Sequence, residues 1–289
     1  MITNFETNKV LIAKGLASLH YEDATYHLLS FMHRHEIEWS FLPDTSSPLH
    51  IWARDYMPVQ VSKEKFVRFR YTPDYLQDSP EYKPDTSAIL SEFGIHTIDS
   101  DIVVDGGNVI SCGDKVIMTD KIIRENPHYQ RHKLIDTLSQ LLEAEIILIP
   151  EDRYDEYGHA DGMVRYMGND CVLLNNYCDF DKPLRKKLLA ALTPHFDIME
   201  LHYDTYTEKS WAYLNFLHVG QNIFFPMPED RLAAIASRQI AEAYPECECH
   251  PICECDNIIR EGGALNCCTW SILTDLPEKD KSKESPKTK

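Results

Sequence analysis

The 289-residue sequence lacks any apolar run of the roughly 18 residues that a membrane-spanning helix needs. It also lacks a basic excess: 29 lysines and arginines stand against 46 aspartates and glutamates, which gives a formal net charge of −17. Nucleic acids and anionic membranes are themselves negatively charged, so this balance disfavours both as partners. It is compatible with a small cationic substrate.

The N-terminal residues lack a basic region followed by a long apolar stretch, so we expect no secretion signal. The nine cysteines are an odd number, and without a signal they predict reduced thiols in a cytoplasmic protein. No linker or second domain is apparent. We therefore expect a single domain over residues 1–276 and a charged, disordered tail over residues 277–289.

What the chain does contain is a repeated order of strand, strand, helix and strand. Runs rich in Val, Ile, Phe and Tyr predict the strands, and apolar residues at helical spacing predict the helices. Asn126 and Pro127 predict the start of one helix, as its cap and first turn. The predicted strands are 57–61, 66–71, 94–99, 108–112, 115–119, 145–150, 163–167, 171–175, 197–201, 213–219, 222–226, 246–252 and 264–273, and the predicted helices are 84–93, 127–144, 183–195 and 229–244.

The first strand of each unit begins near a residue that we call a repeat position. The five repeat positions are Asp55, Gly107, Asp161, Asn215 and Cys267, and the intervals between them are 52, 54, 54 and 52 residues. The N-terminal segment, with strands 9–13 and 36–42 and a helix at 22–35, supplies the parts that the fifth unit lacks. Five like units closed in this way predict a ring, in which the repeat positions converge at one end of the axis.

The residues around the repeat positions carry the chemistry. Two glycines precede Cys267, whose thiol could act as a nucleophile, although a lone cysteine is more often a small buried side chain. The motifs are Trp52-x-Arg54-Asp55-x-x-Pro58, Gly106-Gly107-Asn108, Gly158-His159-x-Asp161-x-x-x-Arg165, Tyr213-x-Asn215-Phe216 and Gly262-Gly263-x-x-x-Cys267-x-Thr269.

This ordered set resembles the guanidine-modifying, or pentein, superfamily, and within it the agmatine deiminases and bacterial peptidylarginine deiminases. The resemblance covers nearly the whole chain. It implies an α/β fold, a five-bladed propeller of ββαβ repeats whose last blade the N-terminal segment completes. It also implies hydrolytic deimination of a guanidino substrate without a metal or organic cofactor.

The resemblance implies that Cys267 attacks the guanidinium carbon and that His159 protonates the departing ammonia and then activates water. Asp55 and Asp161 are expected to hold the guanidinium through paired, charge-assisted hydrogen bonds. The motif alignment selects Cys267 over its neighbour Cys268, because Thr269 then falls at the threonine of the family.

For Trp52 and Asn215, which lie in these motifs, the sequence allows either a role in substrate binding or a structural role. Trp52 forms either a wall over the guanidinium plane or part of the core, and Asn215 positions either the substrate or the backbone. Asn108 is a weaker candidate for substrate binding. Arg54 and Arg165 are expected to be structural ion-pair partners.

Several departures from the family bear on the substrate. Asn266 stands where relatives usually have histidine, and Gly162 stands where they often have an acidic residue. Arg70, if it pointed inward, would suit a substrate that bears a carboxylate; alternation along the strand would place it, with Arg68, towards solvent. The long connection 72–86 is a candidate active-site loop.

Rival interpretations remain open at this stage. Other chemistry of the superfamily, amidino transfer or dimethylarginine hydrolysis, uses the same core, and a silent ligand-binding propeller and a cysteine protease with a Cys, His and Asn set are further alternatives. A metal-binding protein is another, because Cys247, Cys249, Cys253 and Cys255 surround His250 within nine residues. A homodimer is also left open.

Overall fold

The computed structural model describes residues 1–43, 51–79, 82–205, 207, 209–228 and 231–275. The predicted tail at 277–289 lies outside these residues, as does the start of the helix predicted at 229–244. No helix in the described part of the chain is both long and apolar enough to cross a membrane.

In those ranges the chain forms fifteen short strands and ten helices. The strands are β1 (Lys9–Ile12), β2 (Glu38–Phe41), β3 (Val59–Gln60), β4 (Phe66–Arg70), β5 (Thr97–Val103), β6 (Ile110–Ser111), β7 (Lys115–Thr119), β8 (Glu145–Ile149), β9 (Val164–Gly168), β10 (Cys171–Leu174), β11 (Asp197–Glu200), β12 (Leu217–Val219), β13 (Asn222–Pro226), β14 (Glu248–Ile252) and β15 (Thr269–Ile272). The helices are α1 (Glu22–Arg34), α2 (Ala53–Tyr56), α3 (Ser87–Glu92), α4 (Lys121–Glu125), α5 (Arg131–Leu142), α6 (Tyr177–Phe180), α7 (Lys182–Leu192), α8 (Ser210–Leu214), α9 (Ala233–Ala243) and α10 (Asp256–Arg260).

The strands form five three-stranded sheets of one topology. In each sheet the central strand pairs antiparallel with the strand before it in the repeat and parallel with the strand after it, and a helix connects the parallel pair. The sheets are β15-β1-β2, β3-β4-β5, β6-β7-β8, β9-β10-β11 and β12-β13-β14. The order of strands and helices predicted from the sequence is therefore confirmed.

The first sheet joins the two ends of the described chain. β1 pairs antiparallel with β15, with Lys9 opposite Ile272 and Ile12 opposite Thr269. The N-terminal segment thus completes the fifth repeat, as the sequence predicted. Val10, Leu11 and Ile12 are fully buried, and the core beneath this sheet includes Leu28 and Met32 of α1. Burial of such apolar side chains is the main force that holds the strand in place.

One predicted helix start is wrong. Asn126 does not cap a helix that begins at Pro127; it follows the last residue of α4, and α5 begins at Arg131. The Asn126 side chain instead bonds the backbone of Val103: its Oδ1 accepts from the Val103 N–H at 2.8 Å and its Nδ2 donates to the Val103 carbonyl at 2.9 Å. A fully buried amide is satisfied in this way because its hydrogen bonds with water are lost.

The first strands were also predicted to begin too early. Short helical turns occupy the repeat positions, and the strands follow two to four residues later: α2 contains Asp55, a 3-10 turn at Ala160–Gly162 contains Asp161, and Asn215 ends α8. Cys267 likewise lies in a turn before β15, not within a strand. These turns orient the polar side chains away from the sheets and towards one another.

Candidate active site

The turn that carries Cys267 is held by one asparagine from the neighbouring repeat. The Asn215 Oδ1 accepts from the Ala264 N–H at 3.1 Å and from the Cys267 N–H at 3.2 Å. Its Nδ2 donates to the Asp161 Oδ2 at 2.8 Å. Asn215 is 1% exposed, so these bonds form away from solvent. The amide therefore fixes the backbone of the thiol and a carboxylate at the same time.

The Cys267 thiol lies against Asp161. Its Sγ is 3.4 Å from the Asp161 Oδ2, which also accepts from the Asn266 Nδ2 at 2.8 Å. The neighbouring thiol points elsewhere, since the Cys268 Sγ is directed at the Leu265 carbonyl within the core. The two adjacent cysteines thus have different environments, and only Cys267 faces the carboxylates.

A second group of side chains surrounds His159. Its Nε2 lies 2.8 Å from the Asp105 Oδ2, and its Nδ1 lies 3.7 Å from the Asp55 Oδ1. The Gly107 N–H donates to that same Asp55 oxygen at 2.9 Å. Lys121, which is 1% exposed, forms an ion pair with the same Asp105 oxygen. The imidazole is therefore held between two carboxylates in a largely dry environment.

Gly107 is needed because the groups approach it closely. A Cβ at this position would lie 2.7 Å from the His159 Nδ1 and 2.8 Å from the Asp55 Oδ1, well inside contact distance. Gly263 has the same role beneath Trp52, where a Cβ would lie 2.3 Å from the indole ring. Both glycines allow functional side chains to lie directly on the backbone.

These groups open onto one cavity of about 310 Å³. Asp55, His159 and Cys267 line its base, and Trp52 lies in its wall. The connection 72–86 contributes Tyr75, Leu76, Ser79 and Tyr82, and the remaining lining residues are Tyr21, Ile51, Tyr71, Glu156, Tyr157, Glu261, Gly262 and Gly263. The cavity thus has aromatic side chains along its sides, the acidic Glu156 and Glu261 at its rim, and Asp55, His159 and Cys267 at its base.

Burial and neighbouring charges set the protonation states. Burial raises the pKa of the Cys267 thiol well above its usual value, and Asp161 and Asp55 add to the effect. Burial alone would lower the pKa of His159, but the attraction of Asp55 and the hydrogen bond to Asp105 raise it to about 9. Burial, with Asp105 and Asp161, raises the pKa of Asp55 to about 6 against the opposing effect of His159. At neutral pH the site therefore holds a neutral Cys267 thiol, a His159 imidazolium and an ionised Asp55.

A profile of the Porphyromonas-type peptidyl-arginine deiminase family matches residues 1–272. The chain belongs to this family. The resemblance to the pentein superfamily, inferred from five motifs, is thereby confirmed.

Solved structures of other proteins share the fold of this chain. The chain is similar to agmatine deiminase from C. jejuni, at 17% identity and a TM-score of 0.73, with 96% of each chain covered. It is similar to the agmatine deiminase of Enterococcus faecalis at 14% identity and a TM-score of 0.72, again with 96% of each chain covered. A dimethylarginine dimethylaminohydrolase matches at 12% identity and a TM-score of 0.59, over 92% of this chain and 100% of the other. No curated protein matches the chain by sequence.

Of the four predicted substrate-binding residues, Arg70, Asn108 and Asn215 are not among the residues that line the cavity. Arg70 is exposed at the end of β4 and is not among the residues that line the cavity. Asn108 is buried, and its Oδ1 accepts from the Thr119 N–H at 2.9 Å, which ties one turn to β7. Asn215 bonds Asp161 and the backbone of the Cys267 turn, and Trp52 lines the cavity.

The four clustered cysteines do not converge. Cys247 and Cys249 pack half-buried against one core, Cys255 is buried in another, and Cys253 is exposed. Within the described ranges, the groups arranged closely enough to share a metal ion are His35, Glu248 and His250, and Cys178, Asp179 and His202. The protease interpretation also loses support, because Asn215 bonds Asp161 and the backbone while His159 pairs with Asp105.

Sequence reasoning missed Asp105 and Lys121. Asp105 lies two residues before the repeat position Gly107, as His159 lies two residues before Asp161. This equivalence within the repeat is a signal that could have identified it. Lys121 gives no such signal, because its burial against Asp105 depends on the packing of α4.

Proposed function

We propose that this chain hydrolyses the guanidino group of a small cationic or peptidyl substrate to a ureido group and ammonia through a covalent adduct on Cys267. One observation carries the proposal: the Cys267 thiol, the His159 imidazolium and the Asp55 carboxylate line one cavity, and the Asp161 carboxylate lies 3.4 Å from the thiol. The steps need a nucleophile, a proton donor and anionic groups for the cation, and side chains of the chain supply all three.

The reaction follows from this arrangement. Asp55 and Asp161 hold the planar cation, whose charge favours loss of the Cys267 thiol proton to solvent. The resulting thiolate attacks the guanidinium carbon to form a C–S bond. The C–N bond then breaks, and the His159 imidazolium gives its proton to the departing ammonia. Neutral His159 next removes a proton from water, which adds to the same carbon. Cleavage of the C–S bond releases the ureido product and restores the thiol.

We further infer that the five sheets form a five-bladed α/β propeller within a single domain. The contacts between repeats support a closed ring. The Arg54 N–H donates to the Cys267 carbonyl at 2.9 Å, which joins the second sheet to the first. Bonds Gly107–Asp55, His159–Asp105, Asn215–Asp161 and Cys267–Asn215 connect the other neighbouring repeats in turn.

The rim of the cavity favours a substrate without a free carboxylate. Glu156 and Glu261 line it, and none of its lining residues in the described ranges is a lysine or arginine. The α-carboxylate of free arginine would face these acids without a cationic partner, whereas the amine of agmatine or the amide of a peptide would not. Arg70, being exposed and outside the lining, gives no support for carboxylate recognition.

A panel of agmatine, free arginine, a blocked arginyl peptide and methylarginines tests this function. We expect ammonia and ureido product in equal amounts from agmatine or the peptide, and at least tenfold lower kcat/KM for free arginine. Ureido product without free ammonia is not compatible with hydrolytic deimination. A preference for free arginine would refute the argument from the acidic rim and leave the reaction itself in place.

The raised pKa of Cys267 predicts that the free enzyme is slow to alkylate. Because the thiol is neutral at pH 7, iodoacetamide should react more slowly with Cys267 than with the exposed Cys253, and the rate should rise with pH. A guanidinium ligand should accelerate the reaction where it leaves the thiol accessible, since its charge offsets the two carboxylates. Mass spectrometry of the two peptides measures both rates. Fast modification of Cys267 at pH 7 without ligand would show that the thiolate forms unaided.

A further inference from the structure

A second cavity lies on the far side of the catalytic groups. It has a volume of about 70 Å³ and shares no lining residue with the cavity above Cys267. Arg54 and Asn266 line it together with Arg165 and Ser271, whereas the residues that directly follow Arg54 and Asn266, which are Asp55 and Cys267, line the catalytic cavity. The two cavities are therefore separated by the layer that contains the reactive side chains.

Arg165 is buried at this cavity without a counter-charge. It is 3% exposed, and among the described residues no carboxylate lies within ion-pair distance of it. Its Nη2 is buried and has no hydrogen-bond partner. The guanidinium lies over the Phe216 ring at 4.5 Å, which gives a weak cation–π contact. The expected structural ion pair for this arginine is therefore not found in the described part of the chain.

Arg54 lines the same cavity and also has a buried guanidinium nitrogen without a hydrogen-bond partner. Its Nη2 donates to the Ser271 Oγ at 3.0 Å, but its buried Nε has no partner. The Ser111 Oγ, also in the lining, is buried without a partner as well. Burial lowers the pKa of both arginines, and the attraction of Asp161 opposes this effect only in part, because Asp161 forms no ion pair with either arginine in the described part of the chain.

We propose that this cavity binds a small monovalent inorganic anion, of the size of a halide, between the guanidinium groups of Arg54 and Arg165. Buried ionic groups are costly unless they are paired and hydrogen-bonded. An anion would accept from the free N–H groups of both arginines and from the Ser111 hydroxyl. A water molecule occupies roughly 10 to 15 Å³ of such space, so 70 Å³ accommodates a halide with one or more waters.

The anion would also support the catalytic layer. The Arg54 N–H donates to the Cys267 carbonyl, and Arg54 is followed by Asp55 in α2. Asn266 lines the anion cavity and donates to Asp161. Occupancy therefore fixes residues adjacent to three of the reactive groups, from the side that the guanidino substrate does not reach.

Thermal unfolding tests the site, with sodium chloride exchanged for sodium gluconate at constant ionic strength. Gluconate is far too large for the cavity and serves as the non-binding anion. Chloride at tenfold excess over its Kd should raise the ratio of folded to unfolded protein about elevenfold, and the effect should saturate. Arg165→Gln should abolish the dependence on chloride, whereas Arg68→Gln, at a surface arginine paired with Asp99, should retain it.

Bromide provides a direct readout that does not depend on a variant. Crystals of the full chain soaked in sodium bromide should show an anomalous peak between Arg54 and Arg165. A cavity without such a peak, or a chloride response that is absent in the wild type or unchanged in Arg165→Gln, would show that water alone fills the space. If Arg165→Gln does not fold, the bromide peak decides the question.

Discussion

Replacement of Cys267 by alanine is expected to abolish turnover and to leave the fold intact. The thiol is the only nucleophilic side chain at the base of the described cavity, and without it no covalent adduct forms. Removal of such a nucleophile lowers kcat by about four to six orders of magnitude in enzymes of this kind. Ammonia release under saturating agmatine or blocked arginyl peptide measures the loss, and circular dichroism checks the fold.

The neighbouring thiol is the matched control for this prediction. Cys268→Ala removes the same atom one residue away, but from a side chain directed into the core. It should lower the melting temperature and keep kcat within a few-fold of the wild type. If the two variants had the opposite effects, Cys268 would be the nucleophile, and the motif alignment through Thr269 would be wrong.

The second large effect is expected from Asp105→Asn. The Asp105 carboxylate orients the His159 ring and holds its positive charge, so its loss should lower kcat/KM by about 10² to 10⁴. Because the pKa of His159 is raised to about 9 partly by Asp105, the alkaline limb of the pH profile should shift to lower pH in the variant. A purely structural role for Asp105 would leave that limb unchanged.

Stability must be separated from catalysis in this variant. Among the described residues, Asp105→Asn leaves the buried Lys121 with Glu125, at 3.5 Å, as its one ion-pair partner, and a broken buried pair costs about 3–5 kcal/mol. The double variant Asp105→Asn with Lys121→Met removes the buried charge and should recover much of the stability without recovering activity. Recovery of activity would show that Asp105 acts only by holding Lys121 in place.

The sequence predicted the fold well wherever local pattern determines structure. β7 and β13 have the predicted bounds, because a short run of consecutive apolar residues between turns is typical of a buried strand. Asn126 is a residue for which the local sequence predicts the wrong structure. Its local context is that of a helix cap, but its partner, Val103, is 23 residues earlier and only the tertiary structure brings the two together.

The candidate site divides in the same way. Asp55, Asp161 and Cys267 could be selected because a period of about 53 residues places them at one end of the repeats, and the resemblance to the pentein superfamily added His159. The buried pair of Asp105 and Lys121 and the unpaired guanidinium of Arg165 could not be selected in this way. Whether a buried charge finds a partner depends on distances of a few ångströms between distant segments, which no periodicity specifies.

The pairing of β1 with β15 governs when the protein becomes competent during synthesis. Lys9 can pair with Ile272 only after Ile272 has left the ribosome, so this sheet cannot form while the chain is still being synthesised. Contacts of such long range form slowly. Cys267 lies two residues before β15, and its thiol therefore meets Asp161 only in the last stage of folding. A chain terminated before β15 would leave the edge of β1 unpaired. We expect such a chain to be inactive, so incomplete chains would not hydrolyse substrate.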